Sequence, residues 1–394
     1  KGSYSLTADR GPAWVTNSLA VFGSYSPFRP NTNASETGIQ LVDLENSELT
    51  YEKKHELNVG VAFGFVDNRI NVEFDWYRRN NFDLIGYTQT MGVGGVTTKL
   101  ANDATMESTG CEFTISTTNI KTKDFKWTTD WIFGWAENTI TKLDSRSQVY
   151  SLVNGVGRTE GRPIGALYSI PFAGLTEEGL PTFFIDAEHT QVVGPGNYAD
   201  IYFQEYENID YLKYEGTIDP KITGSFGNTF SWKGLKLNVF FTYSFGNVLR
   251  LDNLCPVYSS DYSDLTASMK EMKNRWMVPG DENVTTIPSI PTVRQMREID
   301  ALNNAYSAYN YSTERVAKGD FIRLKELSLA YDLPKKYFEG QNAVSSFGVK
   351  LSATNLWLAY ADKKLNGRDP EYYNTGGVSS PVPRQFTLTV KLGF

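Results

Sequence analysis

The sequence predicts an all-β protein, a transmembrane antiparallel β-barrel, and three observations lead to that prediction. Segments along the chain alternate apolar and polar residues with a period of two, the connections between them alternate in length, and aromatic residues are abundant. Aromatic residues reach 14% although the mean hydropathy is only −0.36. This combination is typical of a barrel with an apolar band and aromatic girdles outside and polar residues inside. No run approaches the ~20 apolar residues of a membrane-spanning helix.

The last segment of the chain shows the alternation most clearly. Its apolar face carries Phe386, Leu388, Val390, Leu392 and Phe394, and polar residues stand between them. A lipid-facing barrel strand requires this pattern. Outer-membrane barrels typically end on an aromatic residue that the barrel assembly machinery reads, so these five residues are the predicted assembly signal. The alternative is an amphipathic strand at the edge of a soluble sandwich, which has the same period.

About ten segments in all show the strand pattern. They cover residues 1–8, 53–66, 69–79, 107–118, 124–138, 222–231, 235–245, 320–331, 346–357 and 384–394. In the eighth segment, Arg323 and Lys325 share the parity of Leu327 and Leu329. That parity predicts either a β-bulge or an upper half that stands above the lipid. Because the chain opens within a strand, we expect its natural N-terminus to lie upstream.

Short and long connections alternate between the predicted strands. Short turns follow residues 66, 118, 232 and 331, and long loops lie near 9–49, 80–106, 139–221, 251–319 and 359–383. Outer-membrane barrels segregate loop length in this way, with short periplasmic turns and long extracellular loops. A soluble sandwich has no reason to do so. The loops are too long and the first strand too incomplete for a small closed barrel, which favours part of a larger one.

Composition narrows the functional classes. The formal net charge of −7 argues against nucleic acid as a partner, because nucleic-acid binding selects basic surfaces. Two cysteines are too few for a disulfide framework. The two histidines, His55 and His189, stand outside any HExxH spacing and offer little to a metal or catalytic site. We therefore predict no metal, no cofactor and no catalytic residue.

Several phrases of the sequence match a known family in order and across nearly the whole chain. They are LTYEKKHELNVG at 49–60, NRINVEFDWY at 68–77, EGRPIGALY at 160–168, GSFGNTFSWKGLKL at 224–237, NRW at 274–276, DFIRLKELSLAY at 320–331 and DPE at 369–371. With them the chain resembles the C-terminal half of a SusC/RagA-like TonB-dependent transporter, one of the large nutrient importers of Bacteroidetes outer membranes.

The resemblance implies more than the alternation does. It implies that residues 1–394 are the C-terminal part of a 22-stranded outer-membrane barrel closed by an N-terminal plug, which is absent from this sequence. It also implies a SusD-like surface lipoprotein as a lid, outer-membrane lipid around the barrel, and energy from the TonB–ExbB–ExbD complex acting through the plug. The implied function is active import of bulky nutrients, oligosaccharides first and oligopeptides next.

Aromatic residues in two long loops are the candidate contacts for ligand or lipoprotein. They are Tyr258, Tyr262 and Trp276 in the loop 251–319, and Tyr168, Tyr202 and Tyr206 in the loop 139–221. Flat aromatic side chains with a polar tip suit both sugar rings and protein interfaces. The segment 261–277 also predicts a helix with an apolar stripe. The alternative interpretation is that these aromatics form the loops' own small cores.

Two other functions stay open at this stage. A passive porin or an adhesin would have the same barrel signature, and steady ion conductance would identify the porin. An outer-membrane barrel hydrolase would need a nucleophile or activated water beside a base, and the sequence gives this hypothesis little support.

Overall fold

The computed structural model describes residues 1–9, 20–29, 34–35, 37–43, 45–92, 97–254, 270–334, 337, 345–373 and 383–393. Over these residues the main feature is a sheet of ten antiparallel strands that follow one another in chain order. The strands are β1 Gly2–Asp9, β2 Glu52–Phe65, β3 Ile70–Gln89, β4 Thr98–Lys121, β5 Phe125–Leu143, β6 Ile222–Trp232, β7 Leu235–Phe245, β8 Phe321–Asp332, β9 Ser346–Ala361 and β10 Gln385–Gly393. The all-β barrel class predicted from the sequence is thereby confirmed as a barrel wall.

One face of the wall is apolar along continuous cross-strand rows. In one row Phe63 pairs with Val72, Val72 with Ile115, Ile115 with Trp131, Trp131 with Phe226 and Phe226 with Phe241. On β10, Phe386, Leu388, Val390 and Leu392 are between 54% and 68% exposed. Large apolar side chains exposed in rows of this length fit a hydrocarbon surrounding rather than water. Phe394, the last residue of the predicted assembly signal, lies outside the described residues.

Polar tips on this apolar face are satisfied within the sheet. The indole nitrogen of Trp131 donates to the hydroxyl of Tyr243 at 2.9 Å, and that hydroxyl donates to the carbonyl oxygen of Ile132 at 2.9 Å. Such internal pairing is required where no water can supply a partner, since an unpaired polar group in hydrocarbon is costly.

The opposite face is polar and lines the barrel interior. Lys350 lies 3.3 Å from Glu326, and Lys1 lies 3.3 Å from Asp75. A concavity of about 440 Å³ opens on this face near the short turns. Its lining includes Lys236, Glu326, Asp332, Lys350 and Lys391. This distribution separates the two faces by polarity along the full set of strands.

A bulge at Lys325 explains the parity conflict in β8. Phe240 pairs with Glu326 and Phe241 with Leu324, so Lys325 is an extra residue opposite one peptide of β7. Below the bulge Leu327 and Leu329 face outward, whereas above it Arg323 turns to the interior. One of the two alternatives drawn from the sequence, the bulge, is thus confirmed.

The connections alternate in length, with one difference from the sequence expectation. The turn after β2 has positive φ at Val66, Asp67 and Asn68, and a two-residue turn, Lys233 and Gly234, joins β6 to β7. The loop expected at 80–106 is mostly strand, because β3 and β4 stay paired up to Gln89 and Thr98. Above the lipid a strand pair needs no apolar face, so pairing continues where the period-two pattern ends.

β1 and β10 occupy the two ends of the sheet order, and within the described ranges they do not pair with each other. Closing the sheet would require further strands, as expected for part of a larger barrel. No helix in the described part of the chain combines the length and the apolarity that crossing a membrane would demand.

Smaller elements sit in the long loops. The helices are α1 Val149–Val153, α2 Val293–Glu298 and α3 Leu302–Asn310. The short strand groups are Val21–Tyr25 with Gly38–Asp43, Phe28–Arg29 with Ala34–Ser35, Ala166–Ser169 with Lys213–Thr217, Phe172–Leu175 with Pro181–Phe184 and Val192–Val193, and Val248–Arg250 with Val316–Lys318. The helix predicted at 261–277 lies mostly outside the described residues, and its described part begins with the 3₁₀ turn Lys270–Asn274.

Candidate functional site in the extracellular lobe

The connection 144–221 and the described residues of the connection 246–320 fold together into one body, here called the lobe. Among these described residues, the core contains twenty buried side chains drawn from both connections. They are Val149, Leu152, Val153, Ala166, Tyr168, Ile170, Leu180, Phe183, Val193, Tyr198, Ile201, Tyr211, Leu212, Leu254, Met272, Leu302, Ala305, Tyr306, Ala308 and Tyr309. A core of this size gives the lobe its own packing, independent of the apolar band below.

Local sequence signals shape the helical part of the lobe. Thr292 and Gln295 form a capping box at the start of α2, in which each side chain accepts from the other's backbone N–H. In α3, Ala305, Ala308 and Tyr309 lie on one buried stripe, and the small alanines let the helix approach the core closely. The buried face of α3 is therefore the surface against which the 144–221 connection packs.

Buried tyrosines of the lobe keep their hydroxyls bonded to the main chain. Tyr198 donates to the carbonyl oxygen of Pro181 at 2.8 Å, and Tyr306 donates to that of Ser289 at 2.8 Å. Burial raises the pKa of Tyr198 well above its ordinary value and raises the pKa of Tyr211 to about 12. The hydroxyl of Tyr198, which has both features, is therefore a structural donor that stays protonated.

Arg250 joins the two connections from the centre of the lobe. Its guanidinium donates to the carbonyl oxygens of Val153 at 3.1 Å, Ser312 at 3.0 Å and Tyr168, and to the hydroxyl of Ser169 at 3.1 Å. Burial lowers the pKa of Arg250 to about 10, which still leaves it charged at neutral pH. The sequence did not single out this residue, and an isolated arginine in a loop carries no local signal of such a role.

A second buried arginine connects the barrel wall to the last extracellular loop. Arg323 of β8 forms an ion pair with Asp369, and its Nε lies 3.2 Å from Glu371. Arg368 next to them pairs with Asp252 at the base of the lobe. The phrases around Arg323 and around Asp369 were both recognised in the sequence, but their contact was not.

Among the sequence-predicted contact residues, Tyr168 is part of the core. Its side chain is only 8% exposed and its ring lies 5.6 Å from that of Tyr214. In this conformation Tyr168 supports the lobe and has little surface to offer a ligand. For Tyr168 the structure therefore agrees with the alternative interpretation, in which the aromatic residue belongs to the loop's own core.

Trp276 is half-buried and packs on a glycine. Its ring lies over Gly179, where an added Cβ would fall inside the van der Waals envelope of the indole. Its Nε1 donates to Glu282 at 3.1 Å, one of the hydrogen bonds that keep the pKa of Glu282 below its usual range. Part of the Trp276 side chain remains accessible to solvent.

Tyr202 and Tyr206 stand at the surface, 57% and 43% exposed. The carboxylate of Glu205 between them accepts the backbone N–H groups of Tyr206 at 2.9 Å and Glu207 at 2.8 Å. The backbone N–H of Tyr150 donates to the carbonyl oxygen of Phe203 at 2.9 Å, which brings a third exposed tyrosine to this segment. We call Tyr150, Tyr202 and Tyr206 the tyrosine surface. Tyr258 and Tyr262, the remaining candidates, lie outside the described residues.

Within the described residues no group of three or more histidine, cysteine, aspartate or glutamate side chains is arranged to hold a metal ion. Asp186, in the connection 144–221, accepts the backbone N–H groups of Thr190 and Gln191 with its carboxylate. Those bonds keep the pKa of Asp186 below its ordinary value. The arrangement is that of a local turn.

The known proteins that the chain is similar to are all TonB-dependent receptors. No protein-family model matches it. It is 28% identical over 386 residues to TonB-dependent receptor P3 of Formosa agariphila, which covers 91% of this chain and 36% of that protein. It is 26% identical to TonB-dependent receptor P26 of the same organism over a similar span. A segment of 99 residues is 35% identical to TonB-dependent receptor SusC of Bacteroides thetaiotaomicron.

Solved structures give the same fold. The RagAB peptide importer in its open-open state superimposes with a TM-score of 0.73 at 24% identity, over 100% of this chain and 40% of that chain. The RagAB peptide transporter gives 0.72 at 23% identity. The chain spans between 36% and 38% of the length of the three Formosa receptors that match along its length. The resemblance seen in the sequence is confirmed by these relatives.

Proposed function

We propose that this chain, a SusC/RagA-like TonB-dependent receptor sequence of the outer membrane, forms part of the barrel wall and extracellular lobe of an importer for bulky nutrients. The observation that carries the proposal is the division of the chain into two parts. A wall with an apolar outer face and a polar inner face spans the membrane, and a lobe with its own core stands above it. The relatives, all TonB-dependent receptors, support the same function.

The polar inner face suits a hydrated interior that holds a plug. Positively charged lysines and negatively charged carboxylates both line its concavity. A folded segment with polar side chains could therefore bind there and find partners for either sign of charge. The plug itself would be supplied by sequence outside this chain. Energy would reach the plug from the TonB–ExbB–ExbD complex, as the resemblance implies.

The lobe is the proposed seat of a SusD-like lipoprotein and the rim of the substrate path. Tyr202 and Tyr206 offer broad, flat contact area with a hydroxyl at the tip, which suits either a sugar ring or a protein surface. Trp276 adds a side chain that is partly accessible to solvent. Tyr258 and Tyr262 remain proposed contacts from the sequence alone. The barrel assembly machinery and outer-membrane lipid are further proposed partners.

For the cargo we propose oligosaccharides first and oligopeptides next. The tyrosine surface suits both sugars and peptides, and the name of the RagAB peptide importer supports the peptides. We propose no catalytic role. A passive porin or adhesin is the alternative function, because an ungated barrel would share the wall described above.

The first test is gentle detergent purification of the protein from its native outer membrane, followed by mass identification of what co-migrates. We expect a plug-bearing polypeptide sequence and a surface lipoprotein, and bound glycan or peptide would identify the cargo. Recovery of a polypeptide without plug or lipoprotein, together with steady conductance in planar bilayers, would replace the importer with a passive pore.

A second test separates the cargo classes. Cells lacking the protein should fail to take up one labelled class, oligosaccharides or oligopeptides, and a strain without TonB should show the same loss. The variant pair Tyr202→Ala and Tyr206→Ala should weaken that uptake, with Val284→Ala, another exposed residue of the lobe, as the control. Uptake that persists without TonB would exclude an energised importer.

A further inference from the structure

A network of polar side chains interrupts the apolar outer face of the barrel wall. The indole nitrogen of Trp127 donates to Oδ1 of Asn228 at 2.9 Å, and the hydroxyl of Thr129 donates to the same oxygen at 2.8 Å. Nδ2 of Asn119 donates to that hydroxyl at 2.7 Å, and the hydroxyl of Thr117 donates to Oδ1 of Asn119 at 2.8 Å. We call these five residues the polar notch.

The notch lies on the lipid side of the sheet. Asn228 pairs with Thr129 on one neighbouring strand and with Val239 on the other. Val239 in turn pairs with Leu327, an exposed residue of the apolar face. On the same strand Phe226 and Phe230 occupy the rows on either side of Asn228, so apolar side chains flank this residue along the lipid face.

The orientation of the Asn228 amide follows from its partners. An indole N–H can only donate, so the atom that meets Trp127 must be the amide oxygen. The amide nitrogen then points away from the network with two N–H donors. Within the described part of the chain, the hydrogen bonds of the Asn228 side chain all end on its oxygen. Two bonds accepted at that oxygen also polarise the amide and strengthen the remaining donors.

The depth of the notch suggests what those donors meet. Trp127 and Trp232 stand near the turns, at the level where aromatic girdles meet lipid headgroups. Asn228 lies one row further from the turn than Trp127, which is about 5 Å deeper for a strand tilted by roughly 45°. The polar groups of a phospholipid just below its headgroup are the ester carbonyl oxygens of the acyl chains.

We infer that the polar notch is a binding site for a phospholipid of the inner leaflet of the outer membrane, with the amide nitrogen of Asn228 donating to an acyl ester carbonyl. An unpaired amide in hydrocarbon is costly, whereas a lipid carbonyl is an acceptor always present at this depth. The site is independent of import and of the cargo, since it needs only a barrel in a bilayer.

Trp131 and Tyr243 supply a matched control on the same face. The indole N–H of Trp131 donates to the hydroxyl of Tyr243, and that hydroxyl donates to the carbonyl oxygen of Ile132, so this second polar pair leaves no N–H directed at the lipid. A variant Trp131→Phe therefore removes an N–H group from the apolar face, leaves the Tyr243 hydroxyl bonded to Ile132, and does not touch the notch.

The test compares two phosphatidylethanolamines that differ only in ester versus ether linkage of their chains. Their binding to the delipidated full-length protein is measured by native mass spectrometry. We expect the ester lipid to bind the unaltered protein roughly fivefold more tightly, the value of one or two neutral hydrogen bonds. The preference should vanish in Asn228→Leu and persist in Trp131→Phe.

Two results would overturn the site. Equal binding of ester and ether lipid to the unaltered protein would exclude a carbonyl acceptor. An ester preference that survives in Asn228→Leu would place the lipid elsewhere on the barrel. The comparison of ester with ether lipid uses the unaltered protein, so it tests the site even if Asn228→Leu fails to fold.

Discussion

The guanidinium of Arg323 meets the carboxylate of Asp369 inside the barrel mouth, and both side chains are almost completely buried. The bulge at Lys325 turns Arg323 to the interior, where the turn Pro370–Tyr372 brings Asp369 and Glu371 against it. The segments around Arg323 and Asp369 lie far apart along the chain, and the ion pair between them attaches the last loop to the barrel wall.

We predict that Arg323→Gln releases the loop 362–373 from the wall. Removing one partner of a buried ion pair leaves an uncompensated charge and typically costs about 3–5 kcal/mol. Limited proteolysis in detergent should show faster cleavage in that loop. Arg294→Gln is the control, because Arg294 pairs with Glu298 on an exposed helix face and should change nothing measurable. Unchanged cleavage in Arg323→Gln would assign the loop's position to other contacts.

We predict that Arg250→Met loosens the whole lobe. The substitution keeps the apolar stem of the side chain but strands the carbonyl oxygens of Val153 and Ser312 in the interior, at about 1–3 kcal/mol for each unsatisfied group. Hydrogen exchange should speed up in both lobe connections together and leave the barrel strands protected. Exchange that rises in only one connection would contradict the joining role of Arg250. Arg297→Met, on the exposed side of α2, serves as the control.

We predict that Gly179→Ala destabilises the lobe more than Gly161→Ala does. The two glycines have nearly the same φ, +76° and +77°, so the left-handed backbone costs both variants about 1–2 kcal/mol. Only at Gly179 does the added methyl group meet the ring of Trp276. The measurement is the urea concentration at which the lobe becomes sensitive to protease. In a Trp276→Ala background the difference between the two glycine variants should disappear, and its persistence would show that the clash is not its cause.

We predict that Glu205 stabilises the surface segment 202–208 at neutral pH and ceases to do so in acid. Backbone N–H groups of Glu207 and Tyr206 hold its pKa below the ordinary value of 4.5. For a carboxylate with a lowered folded-state pKa, the stabilisation is complete above the unfolded value and is lost as pH falls through the folded value. Exchange of the Tyr206 and Glu207 amides in Glu205→Gln should exceed that of the unaltered protein at pH 7, and the difference should shrink as pH falls below the ordinary carboxyl pKa of 4.5 and through the lower pKa of the folded state. Glu207→Gln, an equal change of charge at the next acidic position, is the control.

The sequence predicts the strands of the barrel wall more completely than the structure of the lobe. The alternation in β2, β6, β7 and β10 is a repeated local signal, because one face of each strand meets lipid and the other meets water. β3 and β4 extend beyond the segments in which apolar and polar residues alternate. Above the lipid neither face of a strand needs to be apolar, so the sequence there carries no alternation that would predict a strand. Tyr168 and Tyr202 look alike in the sequence, yet one is buried and the other exposed.

By itself the sequence determined the class of the protein, the polarity of the two faces and the alternation of turns and loops, and it limited the parity conflict at Arg323 and Lys325 to two explanations, between which the structure chose the bulge. These follow from the surroundings of each residue, and a bilayer imposes the same surroundings on every strand. Only the tertiary structure decided that Arg250 joins the lobe, that Arg323 meets Asp369, and that Asn228 closes a polar network on the lipid face. Those contacts join residues far apart in the chain, and nothing local records which distant partner a side chain will meet.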